Sequence, residues 1–193
     1  MTRLVRATDV IGMPVVTLDG DDIADIKDVV FDGDTGRVRG FTLNGRGLLA
    51  GPLDQGLPAG AVSSVGRDAV MTAGPTTTVS LRDMAARAGN GDVLGNHVLT
   101  EGGTDLGAVA DVILQVAPGG VVDVVGYDIV AGPALYGDGR RVLLPLPHTI
   151  AASGEVVIVP TESVELVRPN LAEFGDAVAT LRHETGDGTD AVQ

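Results

Sequence analysis

The sequence predicts a mainly β protein built as two tandem small β-barrels, with a short linker helix between them and a C-terminal helix after them. Three observations predict it. The composition is rich in the residues of short strands and tight turns: 29 Val and 28 Gly stand against five aromatics (Phe31, Phe41, Phe174, Tyr127, Tyr136) and no Trp in 193 residues. The chain also matches itself when shifted by 83 residues. Finally, its apolar runs are short and end in Asp and Gly, the residues of tight turns.

The repeat sets the organisation. The shift places Ile11-Gly12-Met13-Pro14-Val15 on Leu94-Gly95-Asn96-His97-Val98, Gly20 on Gly103, Ile26 on Val109, and Asp28-Val29-Val30 on Asp111-Val112-Ile113. Three further residues then enter the second copy, so that Gly40-Phe41-Thr42-Leu43 meets Gly126-Tyr127-Asp128-Ile129. At a shift of 87, Leu57-Pro58 falls on Leu144-Pro145 and Ala69-Val70-Met71 on Val156-Val157-Ile158. The matching positions are apolar residues, turn glycines and one aspartate, which is repetition of a fold and not of a catalytic set. The expected boundaries are barrel repeat 1 over 1–78, a linker helix over 79–91, barrel repeat 2 over 92–168, a C-terminal helix over 169–184 and a flexible tail over 185–193.

Taken in order, Val15-Val16-Thr17-Leu18 is a strand ending in the turn Asp19-Gly20. Ile26 to Phe31 is a second strand, and Asp32 to Gly36 is turn chemistry ahead of Arg37-Val38-Arg39. Phe41 and Leu43 have the parity of the arginines rather than of Val38, so a β-bulge at Gly40 is needed to return them to the inner face. A last pair of strands follows in each copy, Ala61-Val62 with Ala69-Val70-Met71 and Thr149-Ile150 with Val156 to Val159. Ser80-Leu81-Arg82-Asp83 has the helix-start pattern, and Leu81, Met84, Ala85 and Ala88 form a stripe that stops at Gly89. Asn170 caps a second helix with Leu171, Phe174, Val178 and Leu181 on one face. That face packs on a barrel or on another subunit.

The charge and composition exclude several classes of function. Thirteen Lys+Arg against 26 Asp+Glu give a net charge of -13, which repels phosphate and argues against nucleic acid. The absence of Cys removes disulfides, thiolate zinc sites and cysteine nucleophiles. Met1 to Val10 lacks the apolar stretch of a signal peptide, and no apolar run approaches the roughly 20 residues of a membrane helix. A cytoplasmic protein is the expectation.

The turn and core residues resemble the PRC-barrel domain family. They are Ile11-Gly12-x-Pro14-Val15, Asp19-Gly20, Ile26-x-Asp28-Val29, Thr35-Gly36-Arg37-Val38, Leu57-Pro58 and Gly66-Arg67-Asp68-Ala69-Val70. The second copy is similar through Leu94-Gly95, Leu106-Gly107-x-Val109-x-Asp111-Val112 and Leu144-Pro145. It departs at Val116-Ala117-Pro118-Gly119-Gly120, where the family's Asp-x-x-Thr-Gly turn is missing. The resemblance covers about 140 residues and implies two PRC-type barrels. It also implies a module used for interaction and assembly, as in the cytoplasmic domain of the photosynthetic reaction-centre H subunit and the C-terminal domain of the ribosome maturation factor RimM.

Few residues carry candidate chemistry. Asp32-x-Asp34-x-Gly36 has the carboxylate spacing of a calcium loop but no acid at the third ligand position and no distant Glu, so Asp32 and Asp34 read first as solvated turn acids. Asp28 and Asp111, the one acid shared by both copies, read as carboxylates that accept backbone N–H bonds at a turn. His97, His148 and His183 lie far apart, and His97 with Glu101 on one strand face does not make a metal site. The segment Asn44 to Leu53 is glycine-rich, carries Arg46, Leu48, Leu49 and Leu53, and has no phosphate-loop pattern. Arg46, Leu48, Leu49 and Leu53, together with Phe174, Val178 and Leu181 of the C-terminal helix, form the candidate interaction surface.

The functional expectation is a non-enzymatic adaptor or assembly module with a protein partner, no nucleic acid, no cofactor, no catalytic residue and no integral membrane segment. Formation of a homo-oligomer stays open. Two alternatives remain beside it: a RimM-like factor acting in RNA processing or ribosome assembly through a basic protein partner, and a calcium-binding protein using the Asp-rich turns of the first copy.

Overall fold

The alternating segments of the first copy become strands in the computed structural model of the protein, which describes residues 2–31, 38–46, 51–74, 78–81, 93–117, 119–146, 151–152 and 155–186. By contacts the chain divides into two units, Met1–Asp92 with Leu114–Val124, and Val93–Ile113 with Val125–Gln193.

In the first unit β1 (Arg3–Arg6) runs into a single helical turn, α1 (Ala7–Val10). There follow β2 (Pro14–Thr17), β3 (Asp22–Phe31), β4 (Val38–Asn44), β5 (Pro52–Pro58), a 3-10 turn (Ala59–Ala61), β6 (Val62–Val65), β7 (Val70–Thr72) and β8 (Val79–Ser80). They form a seven-stranded sheet in the order β6-β7-β2-β3-β4-β5-β8. All its neighbours are antiparallel except β2 with β7, where Val15 lies beside Val70 in a parallel pair. Val15, Ile26, Phe41, Leu43, Leu57 and Val70 are buried in its core. The ladder slips by one residue between Val30↔Gly40 and Phe31↔Val38. That slip is the bulge demanded by the alternation: it turns Arg39 outward and leaves Val38, Phe41 and Leu43 all buried.

The second copy repeats this plan with β9 (His97–Thr100), β10 (Asp105–Val116), β11 (Val122–Ala131), β12 (Arg141–Pro145), β13 (Ala151–Ala152) and β14 (Val156–Val159). The order β12-β11-β10-β9-β14-β13 is that of β5-β4-β3-β2-β7-β6 in the first unit. The registers agree at equivalent pairs, apart from a slip between Thr42 and Asn44 in the β4–β5 ladder that the β11–β12 ladder lacks. Val15↔Val70 becomes Val98↔Val157, and Pro14↔Asp25 becomes His97↔Ala108. Phe41↔Leu57 becomes Tyr127↔Leu144. The turns are copied as well: Gly12 N–H donates to Ile26 O at 2.8 Å, and Gly95 N–H to Val109 O at 2.8 Å. Gly12 and Gly95 have φ of +84° and +83°, a left-handed conformation that a side chain with a Cβ rarely adopts.

Each copy is then sealed along the outer edge of its last hairpin strand. Val79 pairs with Gly56 in the first, and Arg168 with Leu143 in the second. After a 3-10 turn (Thr161–Leu166), the C-terminal helix α2 spans Leu171–Gly186. Its start is capped by Asn170: Glu173 N–H donates to Asn170 Oδ1 at 3.0 Å, and Asn170 Nδ2 donates to Glu173 Oε1 at 2.6 Å. Val79 and Ser80, which the helix pattern had claimed for the linker, form β8 because the open edge of β5 offers them ladder hydrogen bonds. Leu81 is helical, whereas the rest of the linker helix, the Thr149-Ile150 strand and tail residues 187–193 lie outside the described residues. No helix among the described residues is long and apolar enough to cross a membrane.

Candidate functional site

Polar side chains in strands this short are either used by the fold or shown to solvent. The acid shared by both copies is used by the fold. Asp28 Oδ1 accepts Val29 N–H at 2.8 Å, and Asp111 Oδ1 accepts Val112 N–H at 2.8 Å. The β3–β4 ladder also shifts register between Ile26 and Asp28, so the carboxylate satisfies an amide at an irregular point of the ladder. The buried threonines Thr17 and Thr100 act in the same way, each accepting the N–H four residues on (Asp21 and Thr104) at 3.0 Å.

The copies differ in what surrounds that acid. Asp28 is exposed, whereas Asp111 is 1% exposed. On the neighbouring strand β11, Asp128 is 0% exposed and accepts a hydrogen bond from Arg141 Nε of β12 at 2.8 Å. The hydrogen bond to Asp128 raises the Arg141 guanidinium further above its ordinary value, and the charges of Asp128 and Asp111 add to the effect. Thr42 stands where Asp128 stands, and its buried Oγ1 has no hydrogen-bond partner. The cluster of Asp111, Asp128 and Arg141 was not singled out from the sequence. Its one signal there is Asp128 inside the otherwise apolar run Val124 to Val130, where the first copy has Thr42.

The loop between β11 and β12 is a second feature that sequence reasoning missed. The N–H groups of Leu135, Tyr136 and Gly137 all converge on Gly132 O. Arg140 sits 4.6 Å from the Tyr136 ring centroid and donates from Nε to Asp138 Oδ2 at 2.8 Å. The hydrogen bond from Arg140 holds the Asp138 carboxyl below its ordinary value of 3.8.

The predicted surface residues scatter. Arg46 is exposed and forms ion pairs with Asp22 and Asp25, which tie its loop to the start of β3. Leu53 is half-buried on β5, and Leu48 and Leu49 lie outside the described residues. Phe174 and Val178 are buried within the second unit and are not surface. The missing side chain at Gly126 accounts for this: a Cβ there would stand 2.6 Å from the Phe174 ring, so the ring occupies the space the glycine leaves. Leu181 is half-buried on the same helix. His97 Nδ1 lies 3.0 Å from Asp105 Oδ2 on the surface. Asp32, Asp34 and His148 lie outside the described residues. Among the described residues no three His, Cys, Asp or Glu side chains are gathered as a metal would require.

Both copies also show apolar side chains to solvent. Ile11 and Leu94, equivalent in the repeat and each one residue before the left-handed glycine, are 41% and 44% exposed. Leu18, Val121 and Tyr136 are also exposed.

No curated protein matches the chain. The family model of the PRC-barrel domain matches residues 3–78, the span from β1 to the start of the strand that seals β5. A small barrel module is what that match describes, and the second unit repeats its strand order and register. Residues 3–78 carry a PRC-barrel domain.

Proposed function

We propose that the chain is a non-enzymatic interaction module that presents duplicated barrel surfaces to a protein partner in an assembly. The observation that carries this reading is the repeated exposure of Ile11 and Leu94 at one turn position. An aliphatic side chain held in water by a rigid turn gains free energy when a partner covers it, about 25 cal/mol for each Å² removed from water. The polar groups support the same reading, because their duties are structural. Asp28 and Asp111 hold backbone amides, Arg46 and Arg140 pair with nearby acids, and Asp128 pairs with Arg141. The net charge of -13 favours a neutral or basic partner over nucleic acid.

The test compares the parent chain with the double variant Ile11→Asp, Leu94→Asp as immobilised bait in native extract. Both positions are exposed, so the variant is expected to melt as the parent does while losing the parent's captured proteins. An unchanged set of captured proteins removes these side chains from the interface. Capture of RNA that disappears at high salt replaces the proposal with a nucleic-acid reading.

A further inference from the structure

Two copies with the same register raise a problem of identity that the backbone does not solve. β4 meets β5 through Gly40↔Pro58, Phe41↔Leu57 and Thr42↔Gly56, and β11 meets β12 through Gly126↔Pro145, Tyr127↔Leu144 and Asp128↔Leu143. The core side chains are near substitutes, since Phe41 and Tyr127 are both buried aromatics and Leu57 and Leu144 are both buried leucines. In a duplicated chain, β11 can therefore meet β5 as readily as β12, from its own molecule or from another. Such strand exchange is a characteristic failure of repeat proteins.

The polar residues are not substitutes. Asp128 is fully buried, and its guanidinium partner comes from Arg141 on β12. At the shift of 87, the residue of β5 that corresponds to Arg141 is Asp54, an exposed acid, and the β4–β5 ladder slips there so that Asn44 lies beside Pro52; β5 brings no guanidinium to that place. Pairing β11 with β5 would set buried Asp128 against a strand that carries no guanidinium. Pairing β4 with β12 would bring Arg141 to Thr42. A buried charge that loses a guanidinium partner is strongly destabilised, enough to disfavour the wrong pairing by at least about tenfold.

We propose that the Asp128–Arg141 pair selects β12 over β5 as the partner of β11, and so guards the duplicated chain against exchanging strands between its copies. Refolding tests this. The full chain is unfolded in denaturant and diluted at several protein concentrations. The readout is the fraction that regains the elution volume and amide spectrum of protein never unfolded.

Asp128→Thr with Arg141→Gln gives β11 the first copy's uncharged residue, and the misassembled fraction is expected to rise about tenfold and to grow with protein concentration. Thr42→Asp leaves the second copy intact but offers Arg141 a second acid, and it is expected to raise misassembly in the same way. It also decides the matter if the double variant does not fold. Val157→Ala lowers the stability of the same unit without touching the pair and is expected to refold to the parent's fraction. The proposal is overturned if Thr42→Asp refolds like the parent. It is equally overturned if Val157→Ala misassembles as much as the pair variants at matched stability.

Discussion

Replacing Phe174 with alanine separates two roles that an amphipathic C-terminal helix can have, a strap on its own barrel or a contact with another subunit. The ring is 0% exposed and fills the space above Gly126, where a Cβ would approach it to 2.6 Å. Its removal takes away the ring's transfer free energy and leaves a hole that β11 and β12 cannot close without breaking ladder hydrogen bonds. Phe→Ala at such a site costs about 3–5 kcal/mol. For a chain of this length each kcal/mol moves the melting temperature by about 2–4 °C, so a fall of at least about 6 °C is expected. Differential scanning calorimetry is the assay, read together with sedimentation to follow oligomeric state. Leu181→Ala, at a half-buried position, costs less. If Phe174→Ala melts like the parent but changes the sedimentation coefficient, the ring is an intersubunit contact and the packing argument fails.

The remaining expectations are smaller. Asn170→Ala removes the helix cap and is expected to cost about 1 kcal/mol, seen as faster amide exchange at Glu173 and Phe174. Asp28→Ala and Asp111→Ala delete the same 2.8 Å bond, but only Asp111 is buried. The loss at Asp111 is expected to be the larger, about 1–3 kcal/mol against less than about 1 at Asp28, by denaturant midpoint. Asp138 is held below 3.8 by Arg140, so whatever the contact contributes is present above the ordinary value and is lost only as pH falls through the lowered one. A carboxyl NMR titration of the parent and of Arg140→Gln is expected to show the Asp138 midpoint rising in the variant.

Much of the fold was legible because short strands leave local marks. The slip at Gly40 follows from parity alone: Val38, Phe41 and Leu43 cannot share one face without an extra residue. The cap at Asn170 follows from Asn-x-x-Glu, whose two side-chain bonds close within four residues. The strand β8 was illegible because Val79-Ser80 carry no strand pattern of their own, and the open edge of β5 recruits them. For the same reason Phe174 and Val178 could not be assigned to core or surface. An apolar helix face specifies that it will be covered and not by what, and the space above Gly126 settles the question.

The sequence by itself determined the duplicated β architecture, its turns and its one shared acid, because these depend on alternation, on glycine's access to positive φ and on hydrogen bonds spanning a few residues. Only the tertiary structure decided which equivalent residues differ in environment. Asp28 and Asp111 make the same local bond in the same register, yet one is exposed and the other is buried beside Asp128 and Arg141. Burial and ion pairing are set by what the neighbouring strands and the following segment bring over a residue, and that information lies far along the chain from the residue itself.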